Sequence, residues 1–252
     1  MTLRANVWHE RHSIRSYEVN AARLVTAQTV CNLFQEAAGN QCHAAGVSID
    51  QIVAAHRETW MLHRLSVRIL KPARWRDEVT VETWPCGTER LYAIRDFRML
   101  SADGSVLALA SSAWLVIDLE TRLPARRPKT PMDWRADRER LFPDAFKRKL
   151  ALPETFTHAR DFTVRRSDID ANAHANHVRV LEWALESAPL TDGARRYVSS
   201  LDAEFAGEAF EGDTVRARAV ADGDGWAHRV ECEAHTREIL KARTVWSTPT
   251  DG

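Results

Sequence analysis

The sequence predicts an α+β protein made of two similar units, each a long helix followed by an antiparallel sheet that wraps it. Three observations point there. The same order of elements occurs twice along the 252 residues. Within each copy, one segment carries apolar residues at helical spacing, and the runs after it carry them at alternate positions. Matched residues also fall at matched places: Asp77 and Val79 answer to Asp213 and Val215, and Leu107 and Trp114 to Ile239 and Trp246. A helix with one apolar face and a sheet with one apolar face bury each other, which gives two packed layers per unit.

The first copy opens with an extended piece, Ser16–Val19. A helix is expected from about Thr26 to Ala45, because Val30, Leu33, Phe34, Ala37 and Ala38 line one face and Gly46 suits its C-terminus. Strands follow over Thr59–Leu70, Asp77–Trp84, Leu91–Leu100 and Val106–Ile117, the last two joined by the turn signal Asp103-Gly104. The second copy opens at Phe156–Val164. Its helix is expected over Asn176–Ser187, with Val178, Leu181, Ala184, Leu185 and Ala188 apolar, and it stops before Pro189. Tyr197–Phe205, Asp213–Val220, Trp226–Ala234 and Ile239–Ser247 are its strands. The units are placed at 1–125 and 154–252. The segment 126–153 is a linker, with a short helix around Arg135–Leu141. Its basic run, Arg126-Arg-Pro-Lys-Thr-Pro131, reads as solvated chain in preference to a binding patch.

Composition narrows the function. Thirty-five basic and thirty-five acidic residues cancel, so no overall field favours nucleic acid or an anionic membrane. The N-terminal stretch has no apolar signal-peptide core, and no run reaches the ~18 apolar residues of a membrane span. Cys31, Cys42, Cys86 and Cys232 are scattered without a C-x-x-C pair. They read as reduced thiols of a cytoplasmic protein, with no disulfide framework and no structural zinc. Nine Trp suggest bulky apolar walls, in a ligand pocket or in an ordinary core.

The run Arg165–His177 carries the densest chemistry. Asp170, Asn172 and His174 are spaced by two. In an extended segment they share one side, about 6.6 Å apart. Such a set can orient a carbonyl, share a proton and activate water. The competing reading is an Asx-rich loop that caps the coming helix. The repeat favours chemistry, because the equivalent stretch Asn20–Thr26 has no Asp-x-Asn-x-His. Glu208 likewise falls opposite Pro72 when both copies are counted back from Asp77 and Asp213. If Glu204–Glu208 is extended, both carboxylates point the same way, as a base in a partly apolar site or as surface glutamates near a turn.

Other chemistries lack support. Asp168-x-Asp170-x-Asn172 begins like a calcium loop, but Ala173 stands where Gly is needed and Arg179 where Glu is needed. His174 and His177 could share a metal at i, i+3, yet no carboxylate pattern completes a site, so none is assigned. G-x-S-x-G, H-E-x-x-H, P-loop and G-x-G-x-x-G motifs are missing.

Taken in order, the residues resemble the acyl-acyl carrier protein thioesterases, fatty-acid-releasing enzymes of plastids and bacteria built as a double (tandem) hot-dog. The resemblance covers about residues 14–247. In the first copy it rests on Glu18-Val-Asn, Phe34-Gln-Glu-Ala-Ala38, Trp60-Met-Leu-His-Arg64, Pro72–Trp84, Ile94-Arg-Asp-Phe97 and Ala113–Arg122. In the second it rests on Asp168–Asn176 with Trp183, and on Glu204-Phe-Ala-Gly-Glu208. It implies a catalytic set of Asp170, Asn172, His174 and Glu208 in the C-terminal unit, and an acyl-chain pocket in the N-terminal unit, for which Leu33, Phe34, Trp60, Leu62 and Trp114 are candidates. Ordinary core packing is the competing reading of each. It also implies an acyl carrier protein bearing a phosphopantetheine-linked acyl chain as partner, with no cofactor; a homodimer is an allowed assembly. The sequence departs from the family pattern at Val180, where Tyr is usual, at His177, where a second Asn is usual, and at Ala209, where plastid members often have Cys. A cysteine at the last position therefore takes no part.

The expected reaction is hydrolysis of fatty acyl-carrier thioesters, ending fatty acid synthesis. Unpaired N–H groups at the helix start, around Asn176 and His177, would hold the oxyanion, each donor contributing roughly 3–4 kcal/mol to the rate. Glu208 or Asp170 would take a proton from water, while Asn172 and His174 hold the water or the carbonyl; alternatively Asp170 attacks to give a mixed anhydride. Arg165, Arg166, Arg179, Arg195 and Arg196 are candidates for meeting an acidic carrier. An acyl-CoA thioesterase, a non-catalytic acyl-thioester-binding protein and a hot-dog dehydratase are the rival readings.

Overall fold

The protein is described from a computed structural model, over residues 3–132, 134–190, 196–235 and 237–249. In the first unit a short strand β1 (Leu3–Ala5) and the strand β2 (Trp8–Ser13) precede helix α1 (Ala27–Ala44) and helix α2 (Ile49–His56). Strands β3 (Glu58–Ile69), β4 (Glu78–Glu89), β5 (Tyr92–Ser101) and β6 (Val106–Asp118) follow, with a two-residue β7 (Leu123–Pro124). After β8 (Trp134–Ala136), the second unit contains β9 (His158–Thr163), α3 (His177–Glu186), β10 (Tyr197–Phe205), β11 (Thr214–Asp222), β12 (Gly225–Cys232) and β13 (Arg237–Ser247).

The α+β tandem hot-dog expected from the sequence is the fold observed, with one refinement. The two sheets are a single sheet, running β4-β5-β6-β3-β10-β13-β12-β11-β9, with β2 on the far side of β4. The join is antiparallel pairing of β3 with β10, where Asp202 faces Ser66 and Ala203 faces Leu65. Helices α1 and α3 lie inside this sheet and touch each other. Val30, Phe34, Ala37, Leu181 and Ala184 all enter one apolar core with Val67, Val81, Val215 and Leu240. Burying the Val, Leu and Phe side chains among these is worth roughly 1.5–3 kcal/mol each.

Backbone hydrogen bonds show the repeat atom by atom. Ile14 N–H donates to Asp77 O and Val164 N–H to Asp213 O, both at 2.9 Å; Val25 N–H donates to Ala73 O and Ala175 N–H to Ala209 O, both at 2.8 Å. Glu208 therefore does sit opposite Pro72.

Several expectations are corrected. Ser16–Glu18 is a 3₁₀ turn; the strand opening the unit is β2, whose polar sequence hides its role. Arg135–Leu141 is not helical: Arg135 and Ala136 belong to β8, parallel to β1. Helix α2 is an element beyond those expected, and the capping box of Ser48 and Gln51 opens it. The basic run of the linker is fastened at its end, where Glu58 accepts hydrogen bonds from Lys129 N (2.8 Å) and from Thr130 N (2.9 Å) and Oγ1 (2.7 Å). Further on, the connection lies across the outer face of the join. There Arg64 donates to Arg148 O and stacks over Phe146, and Leu150 N–H donates to Glu204.

Candidate active site

The site forms around the loop that leads into α3. The chain does not run extended there, so the one-sided 6.6 Å array is replaced by a tight reversal. Asp170 N–H donates to His174 O and Ala173 N–H to Asp170 O, each at 3.0 Å, and Ala173 takes φ +64°. The first copy makes the same turn: Asn20 N–H donates to Leu24 O (2.8 Å), Arg23 N–H to Asn20 O (2.9 Å), and Arg23 takes φ +61°. Asn20 Oδ1 accepts from Ala22 N–H at 3.0 Å just as Asp170 Oδ1 accepts from Asn172 N–H at 2.8 Å. The turn thus needs an Asx residue at position 20 or 170. It does not need Asn172 or His174, which the first copy replaces by Ala22 and Leu24. Helix capping falls to neither of these: Asn176 caps α3 by accepting from Val178 N–H at 2.9 Å, as Thr26 caps α1.

Two linked pairs result. Asp170 Oδ2 accepts from Asn176 Nδ2 at 3.2 Å, and that same amide reaches Gln35 Oε1 of α1 at 3.5 Å. His174 Nε2 faces Glu208 Oε1 at 4.0 Å, while Glu208 Oε2 accepts from Arg122 at 2.9 Å. Asn172 stands exposed at the tip of the turn, and only its backbone engages Asp170. Glu204 and Glu208 do not point the same way. Strand β10 ends at Phe205, and Glu204 pairs instead with Arg64 at 3.2 Å.

At the start of α3 the donors are mostly used. Asn176 N–H bonds Asp168 O, Val178 N–H bonds the cap, and Arg179 N–H bonds Asn176 O. His177 N–H is the first-turn donor without an acceptor among the described residues. The His177 ring packs edge-on against Phe205, with centroids 5.7 Å apart. Burial lowers its pKa to about 4; Asp170 opposes that shift and His174 adds to it. His177 is therefore neutral near pH 7. Among the described residues no group of three or more His, Cys, Asp or Glu could hold a metal ion.

Leu33, Phe34 and Leu62 are buried in the main core, and Trp114 packs against it; Phe34 stacks on Phe97 at 5.1 Å. Trp60 donates its indole N–H to Val47 O at 2.9 Å. Of the basic candidates, Arg165 bonds Asp168, Arg166 pairs with Glu211 and Arg179 pairs with Glu182. The Arg196 carbonyl accepts from Asn20, and Arg195 lies outside the described residues. Sequence reading missed Arg122 and Gln35, two side chains that the first unit extends to the second unit's site, Arg122 to Glu208 and Gln35 to Asn176.

Residues 5–132 match the family described as Acyl-ACP thioesterase N-terminal domain, and residues 153–248 match Acyl-ACP thioesterase C-terminal domain. The chain belongs to the acyl-ACP thioesterase family. A chloroplastic palmitoyl-acyl carrier protein thioesterase of Arabidopsis thaliana is 30% identical across 97% of this chain. A chloroplastic oleoyl-acyl carrier protein thioesterase of Coriandrum sativum is 31% identical across 72% of it. The chain spans 65% and 54% of the length of those two proteins. The 12:0-ACP thioesterase from Umbellularia californica has the same fold, with a TM-score of 0.86 at 24% identity; the match covers 99% of this chain and 100% of that one. An acyl-ACP thioesterase from Bacteroides thetaiotaomicron superposes with a TM-score of 0.81 at 20% identity, over 96% of this chain and 98% of the other.

Proposed function

We propose that the protein hydrolyses fatty acyl thioesters carried on acyl carrier protein, releasing free fatty acid and the carrier thiol and so ending fatty acid synthesis. One observation carries the reading: a His174–Glu208 pair stands on the loop that leads into α3, where the His177 N–H has no acceptor among the described residues, in a chain of this family. Water bonded to Glu208 attacks the thioester carbonyl while its proton passes to the carboxylate. The oxyanion takes the His177 N–H and the positive end of α3. The C–S bond then breaks, and the proton held by Glu208 goes to the leaving thiolate. His174 and Asn172 hold the water or the carbonyl in line.

Both oxygens of Asp170 are engaged, by Asn172 N–H and by Asn176 Nδ2. That favours Asp170 as an organiser of the loop and helix cap over Asp170 as the attacking group. Asn176 acts as cap, its own N–H being committed to Asp168 O. The acyl chain enters the first unit between α1 and its sheet, along Leu33, Phe34, Trp60, Leu62 and Trp114. A reducing, cytoplasmic setting fits four cysteines scattered along the sequence without a C-x-x-C pair. We carry a homodimer in the same proposal, to be read by sedimentation.

The test is thiol release and product profiling on matched acyl chains presented on carrier protein and on coenzyme A. Faster release from the carrier, with free acids as products, is the expected result. Equal or faster release from coenzyme A makes the protein an acyl-CoA thioesterase. Tight acyl binding without thiol release makes it a binding protein, and hydration of an enoyl thioester without thiol release makes it a dehydratase.

A further inference from the structure

We propose that Arg122, on the turn between β6 and β7 of the first unit, is a positioning residue for the second unit's site: it fixes the Glu208 carboxylate so that its other oxygen meets His174. The inference rests on the reading of Glu208 as the base.

The two oxygens of Glu208 are divided between two partners. Oε2 accepts from Arg122 Nη2 at 2.9 Å, and Oε1 faces His174 Nε2 at 4.0 Å. Glu208 lies beyond the end of β10. Its loop is held on both sides by main-chain bonds, Ala206 N–H to Ile239 O at 3.0 Å and Ala175 N–H to Ala209 O at 2.8 Å. The backbone is therefore placed, but the carboxylate swings on three side-chain torsions. A base must stay within hydrogen-bond reach of the proton it takes. Something outside the loop has to hold the carboxylate, and among the described residues Arg122 is the cation that touches it.

Arg122 is itself held. Asp118 Oδ1 accepts from Glu120 N–H and Thr121 N–H, both at 2.9 Å, and Arg122 N–H donates to Asp118 O at 2.8 Å. This turn places Arg122 at φ +59°, a left-handed conformation that an L-residue adopts only at a cost. Immediately after it, Leu123 and Pro124 pair with Asp118 and Ile117. A rigid, unfavourable turn thus aims one arginine from one unit at a carboxylate of the other unit, the one that faces His174 among the described residues. As a fold-stabilising ion pair the contact has little value, because the Arg122 side chain is 66% exposed. That same exposure makes substitution there clean.

The experiment compares R122Q, R122K, E208Q and the double variant R122Q/E208Q on three substrates of one acyl chain: acyl carrier protein, coenzyme A, and a phosphate-free N-acetylcysteamine thioester. Misplacing a reacting group by about 1 Å costs up to about a hundredfold. R122Q is therefore expected to lower kcat about ten- to a hundredfold on all three substrates, with KM little changed and the melting temperature kept. R122K should recover part of the loss. In the E208Q background, R122Q should change nothing further. Three results would overturn the proposal: an R122Q enzyme with parental kcat while E208Q is impaired, a loss confined to KM on the two phosphate-bearing substrates, or the same R122Q loss with and without Glu208. An E208Q enzyme of parental kcat would instead strike down the underlying reading of Glu208, and it is distinguishable because it needs no arginine variant.

Discussion

His228 makes the stability of this protein depend on acid, and the size of the effect follows from its surroundings. Its side chain is fully buried, beside the buried Ser187 and Thr244. Trp246 Nε1–H donates to Thr244 Oγ1 at 3.2 Å, and Thr244 Oγ1 lies 2.8 Å from His228 Nε2. On the other side His228 Nδ1 lies 3.4 Å from Ser187 Oγ, which donates to Ala184 O at 2.6 Å. One assignment satisfies every group: Thr244 O–H donates to Nε2, and Nδ1–H donates to Ser187 Oγ. That chain requires a neutral imidazole. Burial lowers the pKa to about 4 from the ordinary 6.5, against a small opposing contribution from the Ala184 backbone. The unfolded chain therefore binds more protons between those two values. The stability His228 contributes is present above pH 6.5 and is lost as pH falls toward 4. By linkage the full loss is about 3 kcal/mol, of which about 2 kcal/mol is already gone at pH 5. Urea unfolding at pH 7.5, 6, 5 and 4.5, on the parent and on H228Q, isolates it, because other titrating groups cancel in the difference. The parent should lose about 2 kcal/mol more than H228Q between pH 7.5 and 5. Parallel curves for the two proteins would refute the reasoning.

Three further outcomes are expected. E208Q should reduce thioester turnover by about 10²–10⁴-fold with an unchanged melting temperature, measured by thiol release and calorimetry; turnover within twofold of the parent removes Glu208 as base. T26A removes the cap that accepts from Thr29 N–H at 3.1 Å, and should cost about 1 kcal/mol, a melting shift of about 2–4 °C; no shift would mean that the start of α1 is held by packing alone. R90G relieves an exposed hairpin residue at φ +56°, and should raise stability by about 0.5–1 kcal/mol, the left-handed cost outweighing the extra freedom of glycine in the unfolded chain; a lower melting temperature contradicts this.

How far the sequence could be read depended on which interactions leave a local pattern. Helix α1 and strands β3 to β6 each carry an apolar period of their own, and their expected bounds fall within a few residues of those observed, apart from the far end of β4. Strand β2 was invisible because an edge strand reading Trp-His-Glu-Arg-His-Ser has no buried row to announce it. The fusion of two sheets into one depends on β3 meeting β10, a pairing between residues more than 130 positions apart that no period encodes. In the site, the repeat and the family resemblance singled out Asp170, His174 and Glu208. The geometry of the loop was misjudged because nothing about Ala173 announces a positive φ; the equivalent Arg23 adopts it too. Arg122 escaped because a lone arginine in a turn looks like any surface cation until the fold carries it to Glu208. The tryptophans do not all serve the core. Trp84 and Trp183 are buried, whereas Trp75 lies between Arg23 and Arg76 at 5.4 and 4.6 Å.

The two copies of the helix-entry loop also separate scaffold from chemistry at Asp170. In the first copy an asparagine does the turn's work: Asn20 Oδ1 accepts from Ala22 N–H at 3.0 Å and from Leu24 N–H at 3.1 Å. D170N should therefore keep the turn, because an amide oxygen can accept from Asn172 N–H as the carboxylate does. It cannot keep the bond to Asn176. The Asn176 amide presents Nδ2 to Asp170 while its Oδ1 accepts from Val178 N–H, so it cannot flip without uncapping α3, and two NH₂ groups would face each other. D170N should then melt within about 1 kcal/mol of the parent, while D170A, which also orphans Asn172 N–H, should be less stable by about a further 1 kcal/mol. Both should lose turnover. D170N melting as low as D170A would mean that the turn depends on charge and that the analogy with Asn20 fails. Parental turnover in D170N would leave Asp170 with the scaffold role alone. Heavy oxygen from solvent water entering Asp170 during a single turnover of the parent would make it the nucleophile, against the engagement of both its oxygens.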